Sequence, residues 1–386
     1  MLAAAFLTIG TADSYAQASC DDVDGYTALD AKIRENYAKL ATLPVAITSG
    51  KEFLEKYGTC EPTAGMATYL KENIEKWEAR VKEAGEKAKI DEMFGRFDAA
   101  IKSGNVAQIN SVGREILAAQ PSNPNVIMVM GAAGLDEAIK GNSANVDASI
   151  ANAKTALAYA KNASSEFPKT RDADKAKTAG AFQYEFSREQ AVDQMTYVIG
   201  YLNYYTKKDK KAALPYFYEL TQTSNRFKND PRIYAAVGSY YADEAQKVVE
   251  EIKPLDAEIA KADTTDERKI ELNKMILAKE ALYKGWAERT LDAFGRAHKV
   301  AKNTTADEKQ YRDGLYKAIQ DIYKSRFEKT DGVDAWLSTA TAKPMPNPLS
   351  EVTPIIEEPA TTDATTTTAA PAPAATNGKT ATVTKP

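Results

Sequence analysis

Four tyrosines near the middle of the chain have the spacing of residues that share one face of a helix. At positions i, i+4, i+7 and i+8 stand Tyr197, Tyr201, Tyr204 and Tyr205. They belong to a dense set, because ten of the twenty tyrosines lie between Tyr184 and Tyr241. A tyrosine ring offers a broad apolar contact with a polar tip, which suits a surface where a partner docks. The spacing therefore predicts a binding site; the alternative is that the rings fill a hydrophobic core.

The chain has two cysteines, Cys20 and Cys60. In an exported protein an even pair predicts a disulfide. The closed loop of about 40 residues would stabilise the fold by about 4 kcal/mol through the entropy that the unfolded chain loses. One alternative is two unrelated thiols. Another is a lipid on Cys20, although Gln17-Ala18-Ser19 lack the aliphatic residue that a lipobox needs.

Residues with the spacing of a catalytic site are missing from the sequence. The single histidine, His298, has no serine or cysteine nucleophile near it, and no acidic pair stands out as a general acid with its base. Phosphate-binding glycine loops, zinc signatures and calcium loops are absent as well. We therefore expect no catalytic residue, no metal and no cofactor, and a protein that is not an enzyme.

Composition favours a folded chain without a nucleic-acid partner. The 386 residues are 44% hydrophobic and 27% charged, with a net charge of −4. No basic stripe or arginine-rich block appears, which argues against nucleic acid.

The first 18 residues have the features of a secretory signal. Met1 to Gly10 are apolar but too short to span a bilayer, and Ala16-Gln17-Ala18 fits the pattern that signal peptidase cuts. The sequence therefore predicts export to the periplasm or the cell surface, with cleavage after Ala18 and no stable transmembrane span.

The elements that position these residues recur along the chain. One helix–turn–helix begins near Ile90, and a second begins at Pro124, 34 positions later. Further copies open at Asp193 and Pro231. Repeats of this length are typical of stacked helix pairs, each too small to bury its own apolar face.

Helix periodicity and breakers give the bounds of the other elements. We expect a short helix to open at Ser49-Gly50, a long helix to begin near Thr63, and Pro254 to break or kink the fourth repeat. The resulting prediction for the whole chain is a signal peptide at 1–18, an N-terminal helical cap at 19–88, a repeat solenoid at 89–303, a C-terminal helical cap at 304–343 and a disordered tail at 344–386.

The repeats resemble the tetratricopeptide repeat in a divergent form. Ile199-Gly200 match the large-then-small pair of its first helix, Ala212 and Tyr216 match its second helix, and Pro121 matches its terminal proline. The repeat at Pro231 has Val237-Gly238 in the same place. The resemblance implies an all-α, right-handed α-solenoid whose concave side binds peptides or partner proteins. Part of the first helix lines that groove in such stacks, which would bring the four tyrosines to a partner.

The chain changes character after Lys343. Prolines at 344, 346 and 348 stop regular structure, and residues 358–386 are rich in threonine, alanine and proline. Such a segment buries too little apolar surface to offset its ordering entropy, so we expect disorder. It would be a spacer, a surface-attachment tail or an inert tail.

These observations predict an exported adaptor, a scaffold that binds a protein or peptide partner. The alternative is a structural subunit of a cell-surface assembly or filament, because solenoid ends are prone to stack head to tail. The sequence does not name the partner.

Overall fold

A computed structural model describes residues 20–165, 167 and 187–357. All regular secondary structure in these ranges is helical, and none of their residues forms a strand. The all-α prediction is therefore confirmed for this part of the chain. The predicted signal at 1–18, residues 168–183 of the predicted solenoid and the predicted tail from 358 onward lie outside the described residues.

The chain divides into two compact units, Met1–Phe94 and Gly95–Pro386. The first unit contains three helices, the last of which continues past Phe94: α1 (Val23–Asn36), α2 (Leu43–Tyr57) and α3 (Ala64–Ser103). Its core is built from the apolar stripes of these helices, with Ile33, Phe53, Tyr57, Leu70 and Trp77 buried.

Helix α2 begins six residues earlier than the Ser49-Gly50 opening that the sequence predicts. Pro44 lies in its first turn, where the missing N–H of proline costs nothing. Ser49 and Gly50 are buried inside the helix instead. A Cβ on Gly50 would lie 3.2 Å from the side chains of Leu70 and Ile74, so this glycine lets α2 approach α3.

Helix α3 is continuous where the sequence analysis separates a cap helix from a repeat helix at 90–102. Residues 82–92 contain no proline, and Gly85 is their only helix-weakening residue among lysine, glutamate and alanine. Strong helix formers therefore carry the helix across the predicted boundary at 88/89.

The second unit continues with nine helices in its described part: α4 (Val106–Ala119), α5 (Pro124–Ile139), α6 (Val146–Lys161), α7 (Arg188–Tyr201), α8 (Lys210–Gln222), α9 (Pro231–Ile259), α10 (Asp266–Val300), α11 (Ala306–Phe327) and α12 (Val333–Thr341). From α4 to α12 each helix packs on the next one in the chain, and α5 also contacts α7. Most of the core therefore forms between elements that are close in sequence.

Glycines in two of these helices allow a ring from the next helix to approach. A Cβ on Gly200 of α7 would lie 2.7 Å from the ring of Phe217 in α8. A Cβ on Gly238 of α9 would lie 2.4 Å from the ring of Phe294 in α10. The same arrangement of small residue and ring thus recurs in consecutive helix pairs.

Of the break or kink that the sequence predicts at Pro254, the break does not occur in α9. The helix runs from Pro231 to Ile259 with Pro254 exposed inside it. The cost of the lost N–H is offset by packing, because α9 and α10 lie against each other on both sides of this position. Lys279 of α10 pairs with Glu251 at 2.6 Å, and Arg268 pairs with Glu258 at 2.8 Å.

The segment after α12 also differs from the prediction. We name residues 344–357 the C-terminal strap. The sequence analysis places disorder from 344, but the strap lies on α10 in a non-helical conformation, with Met345 and Pro348 buried. Apolar residues among its prolines, and hydrogen bonds from α10, provide the contacts that composition alone does not reveal.

Candidate functional site: the tyrosine cluster

The tyrosine cluster, defined as Tyr197, Tyr201, Tyr204 and Tyr205, begins on α7. A capping box starts this helix: Gln190 N–H donates to Ser187 Oγ at 3.3 Å, and Ser187 N–H donates to Gln190 Oε1 at 2.9 Å. The helix then continues as a π-helical turn, Leu202–Thr206. Asn203 supports the turn, because its side-chain amide donates to the carbonyl of Ile199 at 2.8 Å.

The π-helical turn changes the geometry that regular α-helical spacing predicts. A π turn contains one more residue than an α turn, and such turns occur often at functional sites. Tyr204 and Tyr205 lie inside it, whereas Tyr197 and Tyr201 precede it. The ring of Tyr205 lies 4.7 Å from that of Tyr201 and 4.6 Å from that of Tyr204, measured between centroids. The four rings therefore form one contact cluster.

Burial divides the cluster into two pairs. Tyr201 is 1% exposed and Tyr204 is 7% exposed, whereas Tyr197 and Tyr205 are half-buried. Tyr197 stacks on Phe227, with the centroids 4.4 Å apart and the planes inclined by 5°. Tyr204 faces Phe217 of α8 at 5.9 Å. Two tyrosines thus belong to the core, and two have exposed surface.

A small cavity lies beside the cluster, with a volume of about 10 Å³. Its walls are Tyr197, Tyr201, Tyr205, Phe217, Arg232 and Ile233. The buried hydroxyl of Tyr201 has no hydrogen-bond partner among the residues that the structure describes. A space of this volume beside an unpaired polar atom is about large enough for one water molecule. The cavity therefore fits a water and not an organic ligand.

Burial sets the electrostatics of the cluster. It raises the pKa of Tyr197 to about 12 and raises the pKa of Tyr205 as well. Burial also raises the pKa of Tyr311 of α11 to about 12. Arg232 is held beside them by Asp230, which accepts from its Nε at 2.9 Å and its Nη2 at 2.7 Å. The phenols are therefore neutral at physiological pH and act through ring contact and neutral hydroxyls.

Other residues that could do chemistry are not members of the tyrosine cluster. The ring of His298 lies 5.2 Å from that of Tyr316, and burial lowers the pKa of His298. Among the residues that the structure describes, no group of three or more histidine, cysteine, aspartate or glutamate side chains could hold a metal ion.

Cys20 and Cys60 form a disulfide in the first unit, with the Cα atoms 5.5 Å apart. Asp22 lies next to it and caps α1, accepting the N–H of Gly25 at 3.0 Å. The hydroxyl of Tyr57 donates to the same carboxylate, and this hydrogen bond lowers the pKa of Asp22. The disulfide thus joins the start of α1 to the end of α2 beside a second, hydrogen-bonded link.

Sequence reasoning missed a second surface, where the strap meets α10. Gly285 and Arg289 of α10 and Arg326 of α11 contact strap residues. Two signals in the sequence could have indicated it: a glycine within a helix of strong helix formers, and the apolar run Val352-Thr353-Pro354-Ile355 before the threonine-rich tract.

In the described part of the chain, no helix combines the length and the apolar character needed to cross a membrane.

Comparison with known proteins adds no identification. Searches against protein-family models, curated proteins and solved structures find no match to this chain.

Proposed function

We propose that this chain is an exported adaptor, a right-handed solenoid of tetratricopeptide-like helix pairs that binds a protein or peptide partner in its groove. The proposal takes residues 89–303, the end of α3 together with α4 to α10, as the repeats, and the helices after α10 as a cap. It assigns no catalytic residue and no cofactor.

The observation that carries the proposal is the recurring contact between successive helices. Gly200 of α7 lies under Phe217 of α8, and Gly238 of α9 lies under Phe294 of α10. In both pairs a large residue, Ile199 or Val237, precedes the glycine. A small residue that receives a ring from the second helix is what stacked helical hairpins need in order to pack closely.

The disulfide supports export. Cys20 and Cys60 are bonded, and disulfides persist mainly in oxidising compartments outside the cytosol. The predicted signal at 1–18 would deliver the chain there. A mass spectrum of the mature protein, showing an N-terminus at Ser19 and two fewer hydrogens than the dithiol, would test both points.

The half-buried pair of the tyrosine cluster is the proposed contact with the partner. Tyr197 and Tyr205 have exposed surface, and buried Tyr201 and Tyr204 hold them in place. Aromatic residues with part of the ring exposed are common anchors of protein interfaces.

A capture experiment followed by a mutational map tests the adaptor. The mature chain serves as bait, and the affinity of any captured partner is measured by titration with the wild type, Tyr197→Ala and Tyr205→Ala. We expect each tyrosine variant to weaken binding by about 10-fold or more, as a hot-spot residue does. Tyr69→Ala is the control, because Tyr69 is exposed in the first unit. Equal affinities for all four proteins would reject the proposed site.

A second candidate is the self-assembling subunit, which one observation favours. Ile270 and Leu277 are exposed on α10 seven positions apart, and therefore on one face of the helix. Burial of this pair against a second copy would remove it from water. Light scattering coupled to size exclusion tests the idea: assembly predicts a mass that rises with concentration and falls in Leu277→Lys, whereas a constant monomer mass excludes it.

A further inference from the structure

The C-terminal strap has an anchored half and a lightly held half. Met345 and Pro348 are buried, and the hydroxyl of Tyr218 donates to the carbonyl of Met345 at 3.4 Å. Within residues 350–357 only Val352 and Ile355 are half-buried, and Ile356 is 86% exposed. The second half therefore gains little from apolar burial, which is the property of a segment that opens at low cost in free energy.

Hydrogen bonds between α10 and main-chain atoms of the strap hold this second half. The guanidinium of Arg289 donates to the carbonyls of Ser350 at 2.8 Å and Glu351 at 2.5 Å. The N–H of Ile355 donates to the carbonyl of Ala281 at 2.8 Å. Recognition through backbone atoms accepts many sequences, as in other sites that bind extended peptides.

Two features of the surface nevertheless select side chains. A Cβ on Gly285 would lie 2.6 Å from both the carbonyl oxygen of Thr353 and the Cγ1 of Val352, so the absent side chain makes a notch for a β-branched residue. The Glu357 carboxylate accepts from Lys284 at 2.7 Å and from Arg326 at 2.8 Å. The surface thus combines a notch with a carboxylate site, five residues apart along the strap.

The side chain of Arg326 is buried at this surface and is fixed there by Glu288. Its side chain is 4% exposed, and Glu288 accepts from its Nε at 3.0 Å and its Nη2 at 2.7 Å. The remaining Nη1 is directed to the strap. A buried guanidinium held in this way is pre-organised for a second carboxylate. We name Ala281, Lys284, Gly285, Arg289 and Arg326 the strap groove.

We propose that the strap groove is the binding site for an extended peptide of a partner protein, with a β-branched residue for the notch and a glutamate five positions later, and that the strap occupies it until displaced. This inference rests on the adaptor function and gives the partner a second contact, separate from Tyr197 and Tyr205. The anchored half of the strap keeps the second half near the groove at a high effective concentration, on the order of millimolar for a short tether. Weak contacts are therefore enough to exclude a free peptide.

The test uses full-length chains and a fluorescein-labelled peptide with the sequence of residues 349–358. Glu357→Lys places a cation against Lys284 and Arg326 and releases the strap while leaving the groove unchanged. Glu351→Lys is the matched control, with the same charge change in the same segment, where the structure gives the glutamate side chain no ion pair. Fluorescence anisotropy should show at least 10-fold tighter binding to Glu357→Lys than to the wild type or Glu351→Lys.

Two further variants locate the bound peptide. Gly285→Ala in the Glu357→Lys background fills the notch and should abolish binding. Gly314→Ala in the same background should not, because nothing lies within 4 Å of a Cβ at that position. Hydrogen exchange at the Ile355 amide should be faster in the single variant Glu357→Lys than in the wild type.

Three results would overturn the inference: unchanged exchange at Ile355, equal peptide affinities, or a dimer of Glu357→Lys, which would make a second copy the occupant. The peptide could fail to bind while the affinity of a captured partner still falls in Tyr197→Ala. In that case the adaptor function stands and only the strap groove is rejected.

Discussion

At the scale of single residues, Tyr201 is a buried phenol whose hydroxyl has no hydrogen-bond partner among the described residues. Tyr201 is 1% exposed, and its hydroxyl lies unpaired beside a space of about 10 Å³. An unsatisfied buried donor costs about 1–3 kcal/mol unless a water occupies the space. The ring itself contacts Tyr197 and Tyr205. Without a water in that space, the ring and the hydroxyl contribute to stability with opposite signs.

Replacing Tyr201 separates these two contributions. Tyr201→Ala should lower the free energy of unfolding by about 3–5 kcal/mol, as large buried aromatic residues do. Tyr201→Phe should change it by less than about 1 kcal/mol or raise it, because only an unpaired hydroxyl is lost. Urea unfolding followed by circular dichroism measures both. A large loss in Tyr201→Phe would show that the hydroxyl is satisfied by a bound water.

The raised tyrosine pKa values predict alkaline instability. An unfolded tyrosine has a pKa of about 10, whereas Tyr197 in the fold has a pKa of about 12. The folded state therefore holds the proton longer, so this contribution to stability is complete below pH about 10 and is lost as the pH rises to about 12. Melting temperatures across this window should fall less steeply for Tyr197→Phe. Identical slopes would mean that Tyr197 ionises as freely in the fold as in the unfolded chain.

At the scale of elements, glycines set how closely the helices approach. Gly200 lies against Phe217, whereas Gly314 of α11 faces open space. Both are interior positions of helices, where alanine is the better helix former by about 1 kcal/mol. The same substitution should therefore have opposite effects at the two positions.

Gly200→Ala should destabilise the second unit by about 1–3 kcal/mol, because the new methyl overlaps the Phe217 ring. Gly314→Ala should stabilise it by up to about 1 kcal/mol. Chemical denaturation of the two variants gives both values. Adding Phe217→Leu should remove most of the penalty at Gly200; a penalty that persists would point to another neighbour of the glycine.

The sequence predicts helices well where periodic apolar residues and caps coincide. The helices predicted to begin at Pro124 and Pro231 do begin there, as α5 and α9, because proline suits the first turn of a helix. Prediction fails at Pro254, where long-range packing overrides the local effect of the proline. It also fails at the π-helical turn, because the sequence carries no clear mark of such a turn. The strap was missed because its contacts lie with Arg289 and Gly285, more than 60 residues away in sequence.

At the scale of the whole molecule, the single covalent cross-link lies in the first unit. Cys20 and Cys60 both precede Phe94, and the loop that they close spans α1 and α2. A cross-link restricts only the unfolded states of the segment that it closes. Reduction should therefore affect the two units unequally.

Changing both cysteines to serine should lower the unfolding free energy of the first unit by about 4 kcal/mol. The second unit should keep its stability. Hydrogen exchange measured separately in α1 and α9 reports on each unit. The double variant should not respond to reductant, which is the control. Faster exchange in α9 of the double variant than in α9 of the oxidised wild type would show that the units do not unfold independently.

The π-helical turn has a consequence for how this molecule could diverge. An extra residue within a helix is a one-residue insertion that the helix absorbs, and its removal would restore α geometry. Every residue downstream would then rotate by about 100° about the helix axis, which is one α-helical step. Deleting Asn203 would therefore change which rings face Phe217 without altering any aromatic residue. Insertions and deletions at this turn, more than substitutions, are the changes by which relatives of this protein would exchange one aromatic surface for another.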